Sequence, residues 1–202
     1  MKISILYENY AESQVIAKSK NWAIINPHHM DSLDDIEDIH GHITYDVYYK
    51  GKLFGRYLNT TGYKIIDFKP DDEFNTLLIK SGIVDTRQAY YYVDVIGGRW
   101  PEAEPIIKQN HIYAYYYARD VIKGRWPGAE PIIKQNPWYA YRYARDVIGG
   151  RWPEAEPIII KDPIYAYRYA KYIIKGRWPE AEPYIKQNPI MWDEYKEAFN
   201  LI

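Results

Sequence analysis

The chain has 202 residues, 47% of them hydrophobic, with a formal net charge of −1, 23 Tyr, 7 Trp and no Cys. The apolar content excludes a globally disordered chain, and the small net charge argues against nucleic-acid binding driven by bulk electrostatics. The lack of cysteine excludes disulfide frameworks, thiolate zinc sites and cysteine nucleophiles.

From the N-terminus, "KISILY" (2–7) and "WAIINP" (22–27) read as strands, and the apolar run at 2–7 is too short for a signal h-region. "ITYDVYY" (43–49), "KLFGRYL" (52–58) and "YKIIDF" (63–68) are rich in β-branched and aromatic residues, with turns expected at Lys50-Gly51 and at "NTTG" (59–62). "DDEFNTLLIKSG" (71–82) has acidic residues at its start and Gly82 at its end, a helix signature. Residues 1–85 are therefore expected to form a small α+β N-terminal cap domain. Within it His28, His29, His40 and His42 lie among Asp31, Asp34, Asp35, Glu37 and Asp38. Imidazole plus carboxylate suits a divalent ion, and 40 and 42 share one face of a strand, but the spacing matches no established zinc motif. No other metal and no cofactor is expected.

From residue 86 the chain repeats itself. "GRWPEAEP" (98–105), "GRWPGAEP" (124–131), "GRWPEAEP" (150–157) and "GRWPEAEP" (176–183) recur every 26 residues, the mark of stacked supersecondary units. In "PWYAYRYARDVIGG" (137–150), Pro137 suits a first helical position, Ala140, Tyr143, Ala144 and Val147 share one helical face, and Gly150 is expected to end the helix. "WPEAEPIIKQNP" reads as a second, short helix starting near Pro153, whose first turn Pro157 would disturb. Glu154 and Glu156 then stabilise a helix start rather than form an acid pair. The Trp ring is expected to cover the junction between repeats, and the Arg before it to meet helix-end carbonyls or the Asp column (Asp94, Asp120, Asp146). After Pro189 the polar "IMWDEYKEAFNLI" keeps Tyr195 in the Tyr143 column, as a capping helix should. The overall expectation is an α+β chain: the cap domain, then a four-unit α-solenoid over 86–202.

"YARDVIKGRWPGAE" (117–130), "YARDVIGGRWPEAE" (143–156) and "YAKYIIKGRWPEAE" (169–182) resemble a short repeat of hypothetical proteins of bacteriophages and large DNA viruses. The resemblance covers roughly residues 87–190 and implies a phage accessory protein in the host cytoplasm. It transfers no catalytic residue.

Function is expected to lie in columns that vary between repeats. Tyr115, Tyr141 and Tyr167 form one, Tyr116, Arg142 and Arg168 a second, and Arg119, Arg145 and Lys171 a third. Tyr and Arg concentrate at protein interfaces, so these residues are expected to bind a host protein and occlude it, a host-defence complex being one such target. Two alternatives stand beside this non-enzymatic reading. The same aromatic and Arg side chains suit single-stranded nucleic acid, and the histidines suit a metal-dependent activity. Phosphate-binding loops and nucleophile elbows are missing from the sequence, and no stretch reaches the roughly 18 apolar residues of a membrane span.

Overall fold

The computed structural model describes residues 15–19, 22–25, 44–49, 52–58, 72–82 and 84–201. The chain divides into two units, Met1–Ile107 and Lys108–Ile202. The division falls inside the first repeat, whereas the change in composition near residue 85 marks where repetition begins.

In the first unit, β1 (Val15–Lys18), β2 (Trp22–Ile25), β3 (Thr44–Tyr49) and β4 (Lys52–Leu58) form an antiparallel sheet in the order β1-β2-β3-β4. Ala23 pairs with Tyr48, and Asp46 with Arg56. Helix α1 (Asp72–Lys80) carries Asp72 and Glu73 in its first turn and Lys80 in its last, and buries Phe74, Leu77 and Leu78. Helix α2 (Thr86–Ile96) starts in a capping box: Asp85 accepts the Gln88 N–H, and the Gln88 side chain accepts the Asp85 N–H. Residues 101–103 form a 3-10 turn that leads into the four-residue helix α3 (Glu104–Ile107). The strands expected at 2–7 and 63–68, the Lys50-Gly51 connection and the turn at 59–62 lie outside the described residues.

The second unit is helical throughout. Its long helices are α4 (His111–Tyr116), α6 (Pro137–Tyr143), α8 (Pro163–Tyr169) and the terminal α10 (Pro189–Ala198), with α5 (Glu130–Ile133), α7 (Glu156–Ile159) and α9 (Glu182–Ile185) between them. Each long helix is capped by the residue before it. Asn110, Asn136, Asp162 and Asn188 accept backbone N–H groups of the first turn, and Pro137, Pro163 and Pro189 sit where a missing N–H costs nothing. The short helices begin at the Glu of "AEP", three residues later than the sequence suggests. Pro157 therefore falls in the first turn of α7, where it breaks no hydrogen bond. Ala129, Ala155 and Ala181, together with Ile133, Ile159 and Ile185, are fully buried.

The long helices do not stay α-helical to their ends. α4, α6 and α8 continue as π-helical segments over Tyr117–Ile122, Ala144–Ile148 and Ala170–Ile174. A π turn accommodates one extra residue, and the sequence shows which. "AYYYVDVIGGRW" (89–100) and "AYYYARDVIKGRW" (114–126) match when one residue, Arg119, is inserted. The backbone agrees. In α2 the Val93 carbonyl accepts from Gly97 and Gly98, four and five residues on, whereas the Ala118 carbonyl accepts from Lys123 and Gly124, five and six residues on. The inserted positions of the later repeats are Arg145 and Lys171.

The left-handed residue that ends each helix is Gly97, Lys123, Gly149 or Lys175, with φ of 72°, 56°, 72° and 58°. It is not the repeated glycine that follows. Gly150 lies outside the left-handed region and has open space where a Cβ would stand, which corrects the expectation for that residue. Its N–H donates to the Ala144 carbonyl, and nothing in the structure requires glycine there.

The phrase "GRWPEAEP" builds a joint with the following repeat. The Trp152 N–H donates to the Tyr169 hydroxyl (2.6 Å), Tyr169 donates to Glu156 Oε1 (3.0 Å), and Arg151 places two N–H groups on the Glu156 carboxylate (2.9 and 2.8 Å). Trp126, Tyr143, Glu130 and Arg125 repeat the arrangement, as do Trp178, Tyr195, Glu182 and Arg177. The Arg column thus pairs with the Glu of its own phrase, five residues on, and not with helix-end carbonyls or the Asp column. Burial pushes the Tyr143, Tyr169 and Tyr195 hydroxyls above the usual tyrosine range, so they remain protonated and able to donate. The Trp152 ring is 1% exposed and packs on Tyr143 of its own repeat at 4.9 Å. The link to the next repeat is made by its backbone N–H.

Two predictions follow the joint and the cap. Tyr169→Phe leaves the buried Trp152 N–H without an acceptor and should cost about 1–3 kcal/mol in denaturant unfolding followed by Trp fluorescence; a loss below the error of the fit would contradict this account of the joint. In the same assay Gly149→Ala should cost about 1 kcal/mol, and Gly150→Ala less than about half of that. Equal effects would be inconsistent with the assignment of the left-handed residue.

Candidate interaction surface

The three columns expected to bind a partner lie on the long helices and their π segments, but not all as surface groups. Tyr115, Tyr141 and Tyr167 each follow a buried alanine and are themselves 0%, 2% and 4% exposed. Tyr115 packs against Tyr139 of the next repeat (5.6 Å between centroids) and Tyr141 against Tyr165 (6.2 Å, stacked). These rings are packing between repeats and present no face to a partner, which corrects the expectation for all three. Only their hydroxyls reach the polar edge.

The inserted basic residues of the π segments lie along that edge. Arg119 pairs with Asp120 (2.6 Å), donates to the Tyr115 hydroxyl (3.1 Å) and lies over the Tyr115 and Tyr116 rings at 5.2 and 4.8 Å. Arg145 does the same with Asp146 (2.6 Å) and Tyr141 (3.3 Å). In the fourth repeat Lys171 donates to the Tyr167 hydroxyl (2.8 Å). One extra residue per helix thus projects a cation beside a buried hydroxyl, an outcome of the π turn that periodicity alone does not reveal.

Consecutive repeats differ in how this edge is closed. Between the second and third, the Tyr115 hydroxyl crosses to Asp146 Oδ2 (2.6 Å). Arg142, half-buried between the Tyr115 and Trp138 rings (5.3 and 5.1 Å), donates to the same oxygen at 3.3 Å. Although burial pushes the Asp146 carboxyl up, the hydrogen bonds from Arg145, Tyr115 and Arg142 outweigh it and hold the group below the usual carboxylate range.

Between the third and fourth repeats the closure is missing. The position of Asp146 is occupied by Tyr172, which is 52% exposed, and a groove of about 510 Å³ opens between Tyr141, Arg145, Arg168 and Tyr172. Arg168 is exposed and has no hydrogen bond, ion pair or aromatic contact among the described residues. A second groove, of about 620 Å³, follows between Tyr167, Lys171 and Lys175 on one side and Glu194 and Glu197 of α10 on the other. Tyr172 was not among the residues that sequence variation brought forward; the break in the Asp column (Asp94, Asp120, Asp146, Tyr172) is the signal that marks it.

His28, His29, His40 and His42 lie outside the described residues. Among the described residues no three His, Cys, Asp or Glu side chains gather where a metal could sit, and no helix is long and apolar enough to cross a membrane. The chain matches no protein-family model, no curated protein and no solved structure.

The depressed Asp146 carboxyl predicts a pH dependence. A group whose folded-state pKa lies below its unfolded value near 4 adds stability above that value and loses it as the pH falls through the folded pKa. The stability difference between wild type and Asp146→Asn should therefore be constant above about pH 5 and shrink below about pH 4. Unfolding midpoints measured from pH 7 to pH 2.5 test this, and a difference independent of pH would contradict the ion-pair geometry.

Proposed function

We propose that the protein is a non-enzymatic interaction scaffold: an α+β N-terminal domain followed by a helical-repeat array that binds a partner protein along its polar edge. The observation that carries this reading is the unpaired, exposed Arg168 beside the groove at Tyr172, in an array whose repeated Arg-Trp, Glu and Tyr groups are spent on its own joints. In the setting implied by the resemblance to phage repeat proteins, the partner is a host protein in the bacterial cytoplasm, and the effect is occlusion of its working surface. A defence complex is a target of that kind.

Nucleic acid is the second reading, supported by an excess of Lys and Arg (15) over Asp and Glu (11) in residues 108–202. It loses ground because the rings that would stack bases, Tyr115, Tyr141 and Tyr167, are buried. A metal-dependent activity would rest on the histidines of residues 28–42, and its test is metal analysis of the purified protein before and after His40→Ala with His42→Ala.

The tagged full-length chain, incubated with bacterial lysate with and without nuclease, should retain a stoichiometric protein that survives nuclease and is lost with Arg168→Glu. Retention only without nuclease, with affinity falling steeply as salt rises, would transfer the function to nucleic acid.

A further inference from the structure

The joint between the second and third repeats holds an internal ligand that the next joint lacks. In the first of these, the Asp146 carboxylate accepts from the Tyr115 hydroxyl, Arg145 Nε and Arg142 Nε. One repeat later each donor has a counterpart: Tyr141 for Tyr115, Lys171 for Arg145 and Arg168 for Arg142. The hydroxyl is even set up in the same way, since Arg145 donates to Tyr141 as Arg119 donates to Tyr115. Only the acceptor is gone. Tyr172 replaces the aspartate, the Tyr141 hydroxyl has no acceptor among the described residues, and Arg168 stands unpaired at the groove.

We infer that the groove between the third and fourth repeats is a carboxylate-binding site, which takes a Glu or Asp side chain of a partner protein at the place Asp146 fills one joint earlier. The inference rests on the interaction-scaffold reading and names the chemistry of the partner: an acidic segment. A planar carboxylate with a hydroxyl and a guanidinium for donors is the arrangement the array itself displays at Asp146. An extended polyanion fits less well. Asp146 remains paired beside Arg145, and Glu194 and Glu197 line the adjoining groove, so negative charge on both sides favours a single acidic side chain over a phosphate backbone. Tyr172, half exposed at the groove, adds a ring for the apolar stem of that side chain.

The test uses the full-length chain and a fluorescein-labelled, C-terminally amidated Gly/Ser peptide with a single central Glu, with the same peptide carrying Gln as control, read by fluorescence anisotropy. The Glu peptide should bind and the Gln peptide should not. Arg168→Ala should weaken binding by roughly tenfold or more. Tyr172→Asp, which supplies the missing carboxylate from within, should weaken it as much while keeping or raising the unfolding midpoint, and Lys134→Ala should leave it unchanged. The inference is overturned if the Glu peptide does not bind, if Tyr172→Asp binds it as wild type does, or if labelled oligothymidylate binds more tightly and displaces it. Tyr172→Asp in the lysate experiment separates the two levels. A nuclease-resistant partner retained equally by wild type and variant removes this site and leaves the scaffold reading standing, whereas no such partner on wild type removes the scaffold reading.

Discussion

A buried backbone N–H that its own repeat leaves unpaired governs the array. The chain leaves each long helix through a left-handed residue, runs through Gly-Arg-Trp and turns at Pro, with Trp178 at φ −123° and ψ 82°. That conformation belongs to neither helix, so the Trp N–H has no intrahelical acceptor and is buried by the packing around it. Leaving such a donor unpaired would cost about 1–3 kcal/mol. The acceptor comes from the next repeat, as a tyrosine hydroxyl 17 residues on, whose own proton goes to the glutamate held by the preceding arginine. Each repeat is therefore complete only when its successor has docked. Helix α10 departs from the consensus almost everywhere but keeps Tyr195 for Trp178. The arginine, 54% exposed in the Arg151–Glu156 pair, orients the carboxylate more than it adds stability.

What the sequence revealed and what it hid both follow from this joint. The 26-residue period, the long helices, the burial of Ala140, Tyr143 and Ala144 and the place of Tyr195 in the Tyr143 column were legible, because they rest on periodicity and on side-chain size. The partner of the Arg column was not legible. Arg151 and Glu156 are five residues apart, outside the i, i+4 spacing of a helix, and meet only because the chain bends at Trp152-Pro153. The π segments were hidden by the alignment itself. The constant 26-residue spacing of "GRWP" needs no gap, whereas "AYYY" of the first two repeats matches only with a single gap at Arg119, which marks the insertion. The Tyr column misled for a different reason. The column is Tyr throughout and stood beside the variable ones only because a hydroxyl reads as a surface group, yet Tyr115, Tyr141 and Tyr167 are core rings whose oxygen atoms alone reach the edge.

Positions within the repeat accordingly divide into those the joint fixes and those it leaves free. Trp, Glu and the Tyr143 column are fixed by the joint and leave no freedom for a partner. The positions of Arg142 and Asp146 lie one helical turn apart on the outer edge, and they change from repeat to repeat without disturbing the Trp–Tyr–Glu set. The extra residue of the π segment raises a basic group beside them that the first repeat, an unbroken α-helix, does not have.

The joint is chemically the same at Trp126, Trp152 and Trp178, so it carries no address. A chain that gained or lost one 26-residue block would meet the same donor, hydroxyl and carboxylate at every junction, which makes the number of repeats free to change by whole steps. The same sameness means that the joint itself does not fix which repeat follows which. Discrimination falls to the places where the blocks differ, among them Gly128 for Glu154, Tyr172 for Asp146, and the α10 helix that follows its proline without a π turn. The departures from the repeat are thus the marks by which the array keeps its order.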